Sequence, residues 1–194
     1  MDCMVGKNVM GAGNQQERLD AEWVVGFVDG EGCFHVAINR QHRMTIGWQV
    51  LPEFRVVQHK NDEQILHKLQ SFFGCGRVTV NNGDRKELRI RGLTNLGRIV
   101  NFFKHYPLKT KKLHSFEKFA TIVDLMRQGR HLDREGLSEI ARLTLEMNKR
   151  KNTSASKILR DCTPDTPKGE DTVRPPQRCG EASRNDWPAF ERRS

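Results

Sequence analysis

Apolar residues fall into two rhythms along this chain. Trp23 to Val28 is almost wholly apolar. It follows Asp20, a good helix N-cap, with Ala21 and Glu22 suited to a first turn. This predicts a helix buried on more than one side that stops near Gly30 and Gly32. Alternation comes next. Across Cys33 to Arg40, Phe34, Val36 and Ile38 face one way and His35, Ala37 and Asn39 the other, the pattern of a half-buried strand. Gln41 to Gly47 is a polar turn. Trp48 to His59 is a second extended run, with Val50, Phe54 and Val56 on one face and Gln49, Glu53 and Arg55 on the other. Pro52 within it suggests a bulge or an edge position.

The helical rhythm then returns. Asn61 or Asp62 is placed to cap a helix carrying Ile65, Leu66, Leu69, Phe72 and Phe73, ended by Gly74. A hairpin follows, with Arg77–Asn81 leading to a turn around Asn82-Gly83 and Leu88–Arg91 returning. Val78, Val80, Leu88 and Ile90 are expected to point inward, and Arg77, Thr79, Asn81, Arg89 and Arg91 outward. Thr94 is expected to cap a helix reaching about Lys104, with Leu96, Ile99, Val100 and Phe103 on its buried face. Tyr106-Pro107-Leu108 breaks it. A helix with Phe116, Phe119, Ile122, Val123 and Met126 follows to Gly129, and a last one runs from about Glu135 to Met147. The order is helix, two strands, helix, two strands, then helices. That is an α+β domain, with helices on one face of a four-stranded antiparallel sheet. Expected bounds are a flexible N-terminal arm at 1–18, the domain at 19–150, and a basic, Pro-rich, poorly ordered tail at 151–194.

Charge narrows the choice of partner. The net charge is +9 and the pI about 9.6, a balance that favours a polyanion, nucleic acid first. The five cysteines share no metal-ligand spacing, which argues against structural zinc. Their odd number suggests reduced thiols. No apolar run reaches membrane-spanning length and residues 1–17 hold no signal-peptide core. The expectation is a cytoplasmic or organellar protein, not secreted, with no membrane and no small-molecule substrate.

The first helix carries the candidate chemistry. Gly26 and Gly30 lie on one of its faces, a spacing that lets a second backbone come close. Asp29 and Glu31 fall where a helix C-terminus leaves carbonyls unpaired and the dipole negative. Carboxylates there add to the negative field, which suits a hard divalent cation with oxygen ligands. Taken alone, the segment also reads as a buried helix ending in an acidic turn.

Val24 to Gly32 resembles the signature of the LAGLIDADG homing endonucleases, Leu-Ala-Gly-Phe-x-Asp-Gly-Asp/Glu-Gly. Gly26, Phe27, Asp29, Gly30, Glu31 and Gly32 match, while Val24 replaces Leu and Val25 replaces the small Ala. That family's α-β-β-α-β-β-α order agrees with the order read here over roughly 19–147. The resemblance implies a saddle-shaped sheet on DNA. It implies catalysis by Glu31, Gln58 and Lys111, with Lys109 or Lys112 as alternatives to Lys111. It also implies Mg²⁺ or Mn²⁺ held by Glu31 and the Gly30 carbonyl. One motif per chain implies a homodimer, with Val25, Gly26, Asp29 and Gly30 at the contact. Its implied action is cleavage of both strands of a long, partly palindromic site, leaving short 3′ overhangs, by an enzyme encoded in a group I intron.

The sheet face opposite the helices should show His35, Asn39, Gln49, Glu53, Arg55, Arg77, Thr79, Asn81, Arg89 and Arg91. Such side chains read base edges in a major groove, Arg with guanine and Gln or Asn with adenine. Arg40 and other loop cations would hold phosphates. Four arginines with few balancing acids favour DNA over an ordinary solvated face. A second reading stays open, a non-catalytic nucleic-acid-binding protein of the same fold, such as an RNA maturase or a repressor.

Overall fold

A computed structural model describes residues 19–147 and 153–162. The expected N-terminal arm lies outside these residues, as does the end of the expected tail. Helix α1 (Ala21–Glu31) leads into β1 (Gly32–Arg40) and β2 (Trp48–His59). Then come α2 (Glu63–Phe73), β3 (Arg77–Asn82) and β4 (Arg85–Ile90). Helices α3 (Leu93–His105), α4 (Lys112–Arg127), α5 (Arg134–Met147) and α6 (Thr153–Cys162) complete the fold. The strands form one antiparallel sheet in the order β1-β2-β4-β3. The α+β expectation holds.

Asp20 caps α1 as its chemistry requires, its Oδ1 accepting from the Glu22 and Trp23 amides. Val24, Val25 and Val28 are buried against the sheet. Above the sheet sits an aromatic core centred on Phe34, whose ring lies 5.2 Å from Phe54 and 5.3 Å from both Phe116 and Phe119. Pro52 causes no bulge, pairing in register with Val36. β4 joins β2 only from Phe54 onward, so Pro52 sits where β2 has β1 as its one strand neighbour, the edge setting that tolerates proline.

Several expectations are corrected. Val25 does not reach the surface, because it shares the buried side of α1 with Val24 and Val28. It therefore cannot lie at a helix–helix contact with a second chain, and its bulk replaces Ala inside the chain's own core. Val80 is exposed, since the hairpin runs past the edge of the core and shifts register between Val80 and Asn82. Thr94 does not cap α3; Gly92, with φ 86°, precedes the helix instead. A 3-10 turn at Lys60–Asp62 leads into α2, and the side chain that caps this turn is His59, accepting from the Asn61 amide.

The domain boundary moves as well. The domain continues through α6 rather than ending at 150, for Ala155 and Ile158 join the core. A polar segment folds there because α5 and β1 offer it an apolar surface.

Candidate active site and nucleic-acid interface

Helix α1 ends one residue before an obligatory glycine. A Cβ on Gly32 would come within 2.5 Å of Val28 Cγ1, so only glycine lets the chain turn directly into β1. The turn leaves Glu31 exposed at the last helical position, with no hydrogen bond or ion pair among the described residues. Gly30 is exposed beside it.

The segment before α4 is fastened to this turn. Asp29 Oδ2 accepts from the Lys109 amide at 2.7 Å, and Oδ1 accepts from Thr110 Oγ1 at 2.8 Å. Asp29 is thus engaged within its own chain. Lys112 Nζ donates to the Val28 carbonyl at 2.8 Å and the Gly30 carbonyl at 3.2 Å. Burial holds the Lys112 ammonium below its ordinary pKa, while Asp29, Cys33 and Glu31 pull it back up. Of the three candidate lysines the fold brings Lys112 to the helix end and leaves Lys109 and Lys111 exposed. Spacing in the sequence does not separate Lys109, Lys111 and Lys112; the start of α4 at Lys112 does.

Gln58 is half-buried near the end of β2. Gly32 pairs with Val56, so Gln58 stands at the end of β2 that lies beside the Gly30–Glu31 turn. The carbonyls of Val28 and Gly30 already converge on one cation, the Lys112 ammonium, so this place selects positive charge. Among the described residues no three Asp, Glu, His or Cys side chains converge. This helix end therefore offers the free Glu31 carboxylate and backbone carbonyls, oxygen donors of the kind a hard cation takes.

The sheet face carries the expected side chains, but not as a field of free cations. His35, Gln49, Arg55, Thr79 and Arg89 are half-buried; Asn39, Arg77, Asn81 and Arg91 are exposed. Arg91 lies just past the end of β4. Arg40 stacks on Trp48, its guanidinium carbon 4.5 Å from the ring centroid. Glu53 is buried, and Arg91 Nε donates to its Oε2 at 2.8 Å. Glu87 is buried too and pairs with Arg89. The expected scarcity of balancing acids is therefore wrong. Glu87 shares the face of Arg89 two residues on, and that alternation was the signal available to find it. Burial and the Arg55 charge hold the His35 pKa below its ordinary 6.5, against a smaller upward pull from Glu53.

The sequence profile of the LAGLIDADG endonucleases matches residues 24–123. "Probable intron-encoded endonuclease 2" of Neurospora crassa is 33% identical over 149 residues, covering 75% of this chain; the chain spans only 32% of that relative's length. The crystal structure of a homing endonuclease, I-TnaI, superposes with a TM-score of 0.71 at 50% identity, over 74% of this chain and 97% of that one. The I-SmaMI LAGLIDADG homing endonuclease bound to cleaved DNA gives a TM-score of 0.71 at 32% identity, over 80% of this chain and 52% of that one. Motif, topology and relatives agree, and the chain belongs to the LAGLIDADG endonuclease family.

Proposed function

We propose that this protein is a site-specific DNA endonuclease that works as a pair of identical chains. Each copy hydrolyses one strand of a long, partly palindromic duplex, leaving short 3′ overhangs. The observation that carries this reading is the free Glu31 carboxylate, exposed beside helix-end carbonyls that already hold a cation. A bound Mg²⁺ or Mn²⁺ would activate water and stabilise charge developing on the phosphate and leaving oxygen. Glu31 and the Gly30 carbonyl are the groups that would hold it. Lys112 is the cation that the geometry favours at the reacting phosphate, ahead of Lys111, and Gln58 would orient water nearby. Asp29 keeps the Lys109–Lys112 segment against the turn.

The pairing of chains is supported by two glycines with no reason inside one chain. A Cβ at Gly26 or Gly30 would meet nothing within 4 Å. Both are exposed on the side of α1 that also carries Trp23 and Phe27, whose rings stack at 4.9 Å. Trp23, Gly26, Phe27 and Gly30 follow the i, i+3, i+4, i+7 spacing of a single helix face. A second copy of α1 crossing there would use the close approach those glycines allow. The sheet's Arg, Gln and Asn side chains would then read base edges on either side of the cut. Among the described residues no helix is long and apolar enough to cross a membrane. A group I intron origin and a cytoplasmic or organellar setting complete the proposal.

The test is a cleavage-site selection, with purified protein, a library of long random duplexes, and Mg²⁺ against EDTA. Cutting only with the metal, at one near-palindromic site, is the expected result. Retention of duplex without cutting in Mg²⁺ would overturn the nuclease reading and leave a binding protein or maturase.

A further inference from the structure

The sheet face holds its arginines in an arrangement that needs an explanation. Arg55 pairs across the ladder with Arg89, and Arg89 with Arg77. Three guanidiniums thus stand in one row over β2, β4 and β3. Like charges directly opposite one another destabilise a sheet. Glu53 sits two residues before Arg55 on the same face, only 6% exposed. Its Oε2 lies 2.7 Å from Arg91 Nη2, besides accepting from Arg91 Nε. Arg55 Nε is 3.3 Å from Oε1 and Arg89 Nε is 3.9 Å from Oε2. Both of those nitrogens are buried and make no hydrogen bond. One carboxylate therefore stands among three guanidiniums, from β2, from β4 and from the residue after β4.

Such a carboxylate is a poor contact for DNA. It is buried, its oxygens face the protein's own cations, and its charge repels phosphate. Its effect is on the arginines. A guanidinium carried on a free side chain pairs with any phosphate within reach, which binds every duplex alike. A guanidinium held in direction presents its fork to one base edge, and its fixed geometry loses less freedom on pairing.

We propose that Glu53 is a positioning residue for sequence discrimination: it directs Arg91 and Arg55 and, together with Glu87 paired to Arg89, offsets the charge of the row, so that the face favours base sequence over duplex charge. This rests on the DNA-binding reading above.

The test compares wild type with Glu53→Gln, both as full chains. Duplexes that wild type selects from a random library are set against random-sequence duplex of the same length, over a series of salt concentrations. Glu53→Gln is expected to lower the ratio of selected to random affinity by about tenfold or more. Its binding to random duplex is expected to hold or tighten, with a salt slope steeper by about one counterion. A ratio equal to wild type overturns the proposal. So does a parallel fall in both affinities, which is what a merely structural role would give. Glu53→Asp serves if Glu53→Gln fails to fold. It keeps the charge but withdraws the carboxylate from Arg91, so the ratio should fall with the slope unchanged; an unchanged ratio again overturns the proposal. If wild type retains no duplex at all, both readings fail. If wild type discriminates and the variants do so equally, only this one fails.

Discussion

Two glutamates on neighbouring elements have opposite surroundings. Glu31 ends α1 exposed and without a partner among the described residues, in the negative field of a helix C-terminus. Glu53 lies within the sheet face, buried and ringed by Arg55, Arg89 and Arg91. The first arrangement is poor for stability, since no hydrogen bond or direct ion pair offsets the carboxylate and only the field of Lys112 reaches it. The second spends its charge on the fold's own cations. The contrast separates two kinds of work by environment alone. A carboxylate left open is available to a cation, and through that cation to a phosphate; a carboxylate that is already paired can only organise its neighbours.

The open end should depend on a second chain. Gly26→Leu is expected to leave the monomer folded, because its side chain meets nothing within one copy. It should weaken pairing of chains at least about tenfold, from the steric cost at a close contact in both copies. Sedimentation would show the shift towards monomer, and double-strand cutting would fall with it. A variant that pairs and cuts like wild type would show that the glycine face is not the contact.

The buried glutamate should instead show its effect in stability. Glu53→Gln removes the charge from a carboxylate that three guanidiniums share, and should cost about 1–3 kcal/mol in urea unfolding. Glu31→Gln should leave the unfolding midpoint unchanged or slightly raised. If both variants moved stability equally, the two environments would not differ as described.

The smallest effect concerns His35, paired across the ladder with Glu53. Its folded pKa lies below 6.5, so between that folded value and 6.5 the unfolded chain binds more protons. Stability is full above this window and declines as pH falls through it. His35→Gln should flatten that slope in unfolding experiments across mildly acidic pH. An identical slope in the variant would place the titrating group elsewhere.

Much of the fold was legible because its periodicities are clean. Phe34, Val36 and Ile38 announce a strand, and Leu96, Ile99, Val100 and Phe103 a helix face, whatever surrounds them. The exposed carboxylate of Glu31 at the end of α1 was legible from the glycines that stop the helix there. What escaped depends on tertiary surroundings. Helix α6 has too few apolar residues to declare itself, and Ile158 is buried only because α5 and β1 stand ready. Val80 keeps the strand alternation after the core beneath it has ended. Lys112 differs from Lys111 only in where α4 starts to turn. Val25 was expected at the contact because the resemblance implies a helix–helix contact at that motif position, but the phase of α1 turns it inward.

The most direct measurement is single-turnover cutting of a selected, pre-bound duplex in Mg²⁺ by wild type, Glu31→Gln and Glu53→Gln. Glu31→Gln should bind the duplex and cut it at least about a hundredfold more slowly. Glu53→Gln, once bound, should cut at close to the wild-type rate. Wild-type cutting by Glu31→Gln would remove Glu31 from the chemistry and contradict the division of labour between the two carboxylates.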